Sequence, residues 1–142
     1  MLVYSDCERS WCVGSVGVTM KVLMSIKPEY VRRIFSGEKK YEFRRKLFRR
    51  DVNAVVVYAT LPVGKVYGEF RIAGIIKGAP LYIWRKCCRS AGISKKDFLA
   101  YFKGSNSAYA LVVGAYTEYR RKTSVAVKYH RRPPQSYVYV EG

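Results

Sequence analysis

Residues 36–50 read Ser-Gly-Glu-Lys-Lys-Tyr-Glu-Phe-Arg-Arg-Lys-Leu-Phe-Arg-Arg, and they hold the side chains best suited to chemistry. Taken as a strand from Lys40 onward, the segment puts Glu42 and Arg44 on one face and Tyr41 and Phe43 on the other, because side chains alternate along extended backbone. Lys39 stands three residues before Glu42, so a regular strand would aim it away. Only a bend at the turn around Gly37 brings it to the same side. A lysine, a carboxylate and an arginine around one concavity suit two jobs. They can bind a nucleotide, with Lys39 or Arg44 on phosphate and Glu42 accepting from a base amino or a ribose hydroxyl. They can also hydrolyse, with Glu42 as general base while Lys39 or Arg44 steadies an oxyanion. A surface strip of ion pairs is a third reading that the segment alone leaves open.

The same segment begins a basic surface. Arg45, Lys46, Arg49 and Arg50 follow at once, and Arg120, Arg121, Lys122, Lys128, Arg131 and Arg132 form a later group. The whole chain of 142 residues sets 27 Lys and Arg against 10 Asp and Glu, a net charge of +17. Such an excess favours a polyanionic partner, and nucleic acid above an anionic membrane. These ten side chains are therefore expected to touch phosphate. Thirteen tyrosines and two tryptophans could stack on bases, although most aromatics, Trp84 and Phe98 among them, are expected in the core.

Other chemistries find little support. His130 is the only histidine, which argues against a histidine triad or a histidine-rich metal centre. Four cysteines, two of them adjacent at Cys87 and Cys88, suit neither a disulfide scaffold nor a tetrahedral zinc site. Gly64-Lys65 lacks the rest of a phosphate-binding glycine loop. No apolar run approaches the ~18 residues that span a bilayer. The reading is a chain without cofactor or metal, off the membrane and in the cytoplasm, with its oligomeric state open.

These side chains need elements to hold them. Residues 1–19 are net acidic and read as a flexible extension or, alternatively, an edge strand at 11–18; Met20 then opens a folded domain of residues 20–142. A strand at 22–26 precedes a short helix, with Pro28 at its first position, Tyr30, Val31, Ile34 and Phe35 at helical spacing, and Gly37 at its end. Residues 52–60 form a β-branched strand, 61–65 a turn, and 66–76 an alternating strand with Gly68 and Gly74 as bulges. Two helices follow. The first turns Leu81, Trp84 and Cys88 inward. The second starts at the Ser94-Lys95-Lys96-Asp97 capping box and turns Phe98, Tyr101 and Phe102 inward. Strands are expected at 108–116, 123–129 and 137–140. With so few helices, the order suggests an α+β fold: a curled, mostly antiparallel sheet or small barrel with helices outside.

Gly37-x-Lys39-x-x-Glu42-x-Arg44 resembles the G-x-K-x-x-E-x-R signature of the ASCH family, within the PUA-like group of RNA-binding pseudobarrels. Met24-Ser25-Ile26-Lys27-Pro28, Val57-Tyr58-Ala59-Thr60, Pro62-Val63-Gly64-Lys65-Val66 and Gly68-Glu69-Phe70 are similar to archaeal-type members, and Pro134-Gln135-Ser136-Tyr137 to their C-terminal signature. The resemblance covers most of residues 20–140. It implies a PUA-like pseudobarrel of five to six strands, with a cavity lined by Gly37, Lys39, Glu42 and Arg44 and closed by Gln135, Ser136 and Tyr137. It further implies binding of RNA, or of a nucleotide or modified nucleoside. Some members are enzymes: one deacetylates acetylcytidine, and others have been proposed as ribonucleases. In the deacetylase the lysine matches Lys39, but a catalytic threonine stands where this chain has Glu42. Binding is accordingly the first reading. Hydrolysis of RNA or a modified nucleoside, with Lys39 and Glu42 as the candidate catalytic pair, is the alternative. A DNA-binding regulator would need a helix-turn-helix, for which residues 81–90 and 94–103 are the only helix pair.

Overall fold

The computed structural model describes residues 2–5 and 20–141. Its strands are β1 (Leu2–Ser5), β2 (Met20–Ile26), β3 (Tyr41–Arg44), β4 (Ala54–Ala59), β5 (Lys65–Gly78), β6 (Ala108–Thr123) and β7 (Tyr137–Glu141). The helices are α1 (Pro28–Phe35), α2 (Pro80–Cys87), α3 (Lys95–Tyr101) and α4 (Val125–Tyr129), with a 3-10 turn at Cys88–Ser90. Six strands pair in the order β3-β6-β5-β4-β2-β7, and β1 pairs with β5 beside that path. β2 and β4 run parallel, and the remaining pairs are antiparallel. The architecture is thus the α+β, mostly antiparallel one expected. The path of strand pairing stays open, with β3 and β7 at its two ends. Met1 and residues 6–19 lie outside the described residues, and with them the alternative strand at 11–18, Cys7 and Cys12.

β2 and β4 read as unbroken apolar runs because both of their faces are covered. Val22, Met24, Val55 and Val57 join Phe70 and Leu111 in the main core. The intervening Leu23, Val56 and Tyr58 pack on the opposite side with Val66 and Val125. Helix α1 is only eight residues long, too short to persist alone in water. It is fixed by fully burying Val31 and Ile34, worth roughly 1.5–3 kcal/mol each. Gly68 and Gly74 sit at register shifts between β5 and β6, as bulges should. A Cβ at Gly68 would lie 2.4 Å from the Thr117 carbonyl and 2.8 Å from the Phe35 ring, so only glycine lets α1 pack this close.

Three local expectations fail. Residues 123–129 are not a strand: β6 runs on to Thr123, and α4 follows. Ser124 caps that helix by accepting from the Val127 amide at 3.1 Å, and Val125 is buried against the sheet. Capping and a half-apolar face outweigh the β-preference of its valines. In α2 the inward side chains are Ile83 and Cys87, whereas Leu81 and Cys88 are exposed. Tyr101 also faces out, leaving Phe98 and Phe102 to fill the core. On the outer face of the sheet, Glu69 takes Lys21 at 2.9 Å and the Tyr119 hydroxyl at 2.7 Å. Burial pushes this carboxyl up, but those two hydrogen bonds hold it below its usual range. Among the described residues no helix is long and apolar enough to cross a membrane.

Candidate functional site

The chain turns at Gly37 after α1, and the backbone then bends inward. Lys39 N–H donates to the Arg33 carbonyl at 2.8 Å, and Lys40 N–H to the Ser90 carbonyl at 2.9 Å. This hold swings Lys39 out of strand register and into the protein, where it is 2% exposed. Its Nζ donates to the Ala91 carbonyl at 2.7 Å and lies 5.2 and 4.7 Å from the ring centroids of Tyr30 and Phe43. Gly92 backs the aliphatic stem. Its φ is +65°, and a Cβ there would fall 2.5 Å from the Cβ of Lys39. Burial pushes the Lys39 amine below its ordinary 10.5, Glu42 pulls it back up, and Arg33 and Arg44 push it down again. The result is a lysine nearer to giving up its proton than one in water.

On β3, Glu42 and Arg44 do share a face, and Arg44 Nη2 meets Glu42 Oε2 at 3.2 Å. The same Nη2 donates to the Ser25 carbonyl at 3.0 Å, and Nη1 to Ser136 Oγ at 3.3 Å. Arg44 Nε is buried without a partner among the described residues. Arg44 thereby ties β3 to β2 and to the segment before β7, across the gap that strand pairing leaves open. Ser25 completes the tie, donating through Oγ to the Pro134 carbonyl at 2.6 Å and through its amide to the Ser136 carbonyl at 2.9 Å.

Lys39, Glu42 and Arg44 all line one cleft of about 500 Å³, a volume that suits a small-molecule or nucleotide ligand. The other predicted cavity residues are elsewhere. Gly37 lies beneath the Tyr116 hydroxyl. Ser136 does not line the cleft but bonds to two residues that do, Arg44 and Ser25. Gln135 is exposed, and Tyr137 packs edge-on against Phe48; neither lines the cleft. Residues that sequence reasoning passed over line it instead, among them Ser25, Glu29, Tyr30, Asp97 and Tyr101. Glu29 and Tyr30 follow Pro28 in the first turn of α1, and Asp97 occupies the first turn of α3, so each reads in sequence as part of a helix start. The Ala91 carbonyl leaves no sequence trace at all, being backbone.

The basic residues divide. Arg45 Nε donates to the Tyr101 carbonyl at 2.7 Å, and its guanidinium lies 5.2 Å from the Tyr101 ring centroid, which places it at the cleft rim. The amides of Arg49 and Arg50 both donate to Tyr139 Oη, at 2.8 and 3.2 Å, and the Arg50 guanidinium lies over that ring. Lys46 is exposed beside them. None of the later group lines the cleft. Lys122 is engaged by Glu118 at 2.9 Å and lies over Tyr67, and Lys128 lies over Tyr119. Arg120, Arg121, Arg131 and Arg132 are exposed. His130 is exposed too, and its left-handed backbone (φ 55°) ends α4.

Residues 24–133 match the ASCH domain. The chain is 31% identical over 120 residues to an ASCH domain-containing ribonuclease of Zymomonas mobilis, covering 82% of this chain and 81% of that protein. It is 32% identical over 124 residues to a large ribosomal subunit protein uL22 of Ureaplasma parvum, covering 87% of this chain but only 40% of the length of that relative. Among solved structures, ASCH from Zymomonas mobilis superposes with a TM-score of 0.77 at 27% identity, over 84% of this chain and 87% of that one.

Proposed function

The chain belongs to the ASCH domain family, and from that premise we propose that it binds RNA, drawing one nucleotide of a strand into the cleft at Lys39, Glu42 and Arg44. The arginines of residues 45–50 hold the flanking phosphates, and the cytoplasm is the place of action. One juxtaposition carries the reading. Arg44 and Arg45 are neighbours in sequence, yet Arg44 is committed inside the cleft while Arg45 lies over Tyr101 at its rim. A strand crossing the rim would meet a basic tract outside and a hydrogen-bonding pocket inside. Such a division lets phosphate contacts position the strand while the pocket reads it. The ribonuclease relative from Zymomonas mobilis supports RNA as the polyanion. Fluorescence anisotropy with labelled single-stranded RNA tests the proposal. Glu42→Gln and Arg44→Ala should each cost roughly 1–3 kcal/mol of affinity, the range of a charge-assisted hydrogen bond, in proteins whose circular dichroism is unchanged. Folded variants that bind like the parent would overturn it.

A second reading, RNA cleavage in the same cleft, is favoured by the buried amine of Lys39. In its neutral form that amine could take the proton from a ribose 2′-hydroxyl as the 2′-oxygen attacks the adjacent phosphorus. The bond to the 5′-oxygen breaks, that oxygen recovers the proton from the Lys39 ammonium, and Arg44 balances charge on the phosphoryl oxygens. The products are a 2′,3′-cyclic phosphate and a 5′-hydroxyl. No threonine stands at position 42 to support amide hydrolysis, so acetylcytidine should be bound without turnover. Denaturing gels of RNA, with DNA as the control lacking a 2′-hydroxyl, separate the two readings. Steady cleavage abolished by Lys39→Ala would make the protein a ribonuclease.

A further inference from the structure

Three successive carbonyls face the connection between α1 and β3, and each is taken. Ser90 accepts from the Lys40 amide at 2.9 Å, Ala91 from the Lys39 amine at 2.7 Å, and Gly92 from Arg33 Nη1 at 2.8 Å. The connection closes on Arg33 in turn, whose own carbonyl accepts from the Lys39 amide at 2.8 Å and from Ser36 Oγ at 3.1 Å. Arg33 therefore grips Lys39 twice: directly through its backbone, and through its guanidinium by way of residues 91 and 92. Yet Arg33 does not line the cleft, and it stands outside the Gly37–Arg44 motif. Its guanidinium is itself braced, with Nε 3.4 Å from Glu38 Oε2 and Cζ 5.8 Å from the Tyr30 ring centroid.

The second grip matters because of Gly92. The Lys39 amine takes the Ala91 carbonyl as its hydrogen-bond partner; the Tyr30 and Phe43 rings beside it attract a cation but offer no lone pair to aim it. Its aim thus depends on which way the Ala91–Gly92 peptide is turned. Gly92 has φ +65°, and glycine adopts either sign of φ at little steric cost, so this peptide plane can turn over. No other residue fits there, since a Cβ would fall 2.5 Å from that of Lys39; the freedom comes with the site. Ala91 and Ile93 are anchored in the core by their side chains, whereas Gly92 between them has none. What holds its carbonyl is Arg33. We infer that Arg33 is the positioning residue of this cleft: its hydrogen bond to Gly92 keeps the Ala91–Gly92 peptide turned towards Lys39, and the Ala91 carbonyl then fixes the amine where RNA meets it. The inference rests on the reading of Lys39 as a group that contacts RNA. Arg33 touches no ligand and acts through Lys39, so substitutions at the two positions should not add.

Two measurements on the full chain test it. In isotope-labelled protein, the nuclear magnetic resonance signal of the Lys39 ammonium, assigned by its loss in Lys39→Met, should be sharp and slow to exchange with water. Arg33→Met should broaden it, and Arg33→Lys, which keeps a donor for the Gly92 carbonyl, should restore it. Anisotropy with labelled single-stranded RNA reads the consequence. Arg33→Met should weaken binding about tenfold, as the loss of one hydrogen bond to a charged group allows, and should weaken it no further when introduced into Lys39→Met. A weakening just as large in that background would overturn the inference, making Arg33 a phosphate contact or a brace of the fold. So would an ammonium signal that Arg33→Met leaves unchanged. Should Arg33→Met not fold, Arg33→Gln takes its place and is read in the same way. If the parent binds no RNA at low salt, the nucleotide reading of the cleft fails instead, and the ammonium signal still decides whether Arg33 holds the amine.

Discussion

Lys39 lays its stem along Gly92 and its amine against the Ala91 carbonyl, and its burial has a consequence that can be measured without any ligand. The amine is held below its ordinary 10.5 in the folded protein. Between that lowered value and 10.5 the unfolded chain binds more protons than the native one, so native stability rises with pH across this window. Lys39→Met removes the titration and leaves the Ala91 carbonyl without its donor, an offset that does not vary with pH. Urea unfolding of parent and variant from pH 7 upward should show the difference moving in favour of the parent as pH approaches 10.5. Comparing the two proteins cancels the tyrosines that titrate in the same range. A difference that stays flat would mean that Lys39 titrates alike in both states.

Elements were legible in the sequence wherever one physical rule acted alone. Proline at the first helical position and two apolar residues three apart marked α1, and alternation marked the face that Glu42 and Arg44 share. Residues 123–129 broke the pattern because two rules competed there: β-branched valines favoured a strand, while Ser124 and a single apolar face favoured a helix. The structure resolves that competition through the cap, so Ser124→Ala should cost about 1 kcal/mol, seen as a lowered urea midpoint. An unchanged midpoint would show that burial of Val125 alone holds α4. The cleft was half legible. Its β3 residues belong to one short segment, but Glu29, Asp97 and Tyr101 come from helices far apart in sequence, and no spacing rule links a residue in α1 to one in α3.

Across the whole molecule the excess of positive charge sets how binding responds to salt. Each phosphate neutralised on a single strand releases counterions, so the logarithm of affinity should fall with the logarithm of salt by about 0.7 per contact. Replacing Arg49 and Arg50 by alanine should weaken all RNA sequences alike and flatten that slope by about one contact each. Glu42→Gln, by contrast, should weaken binding while leaving the slope nearly untouched. Affinity indifferent to salt would detach the basic surface from RNA altogether.

The tie between Ser25, Arg44 and residues 134–136 also sets a timetable. Translation delivers residues 20–50, with the lysine, the glutamate and most of the nearby arginines, well before the segment that fastens them. At roughly 5–20 residues per second, the stretch from residue 50 to residue 134 takes about 4–17 s to make. During that interval the emerging chain has its charges but not its pocket, beside a ribosome built largely of RNA. On the proposed reading, closure of the pocket is thus the last event of the protein's synthesis, and a chain stopped short of Pro134 should cling to polyanions without choosing among them.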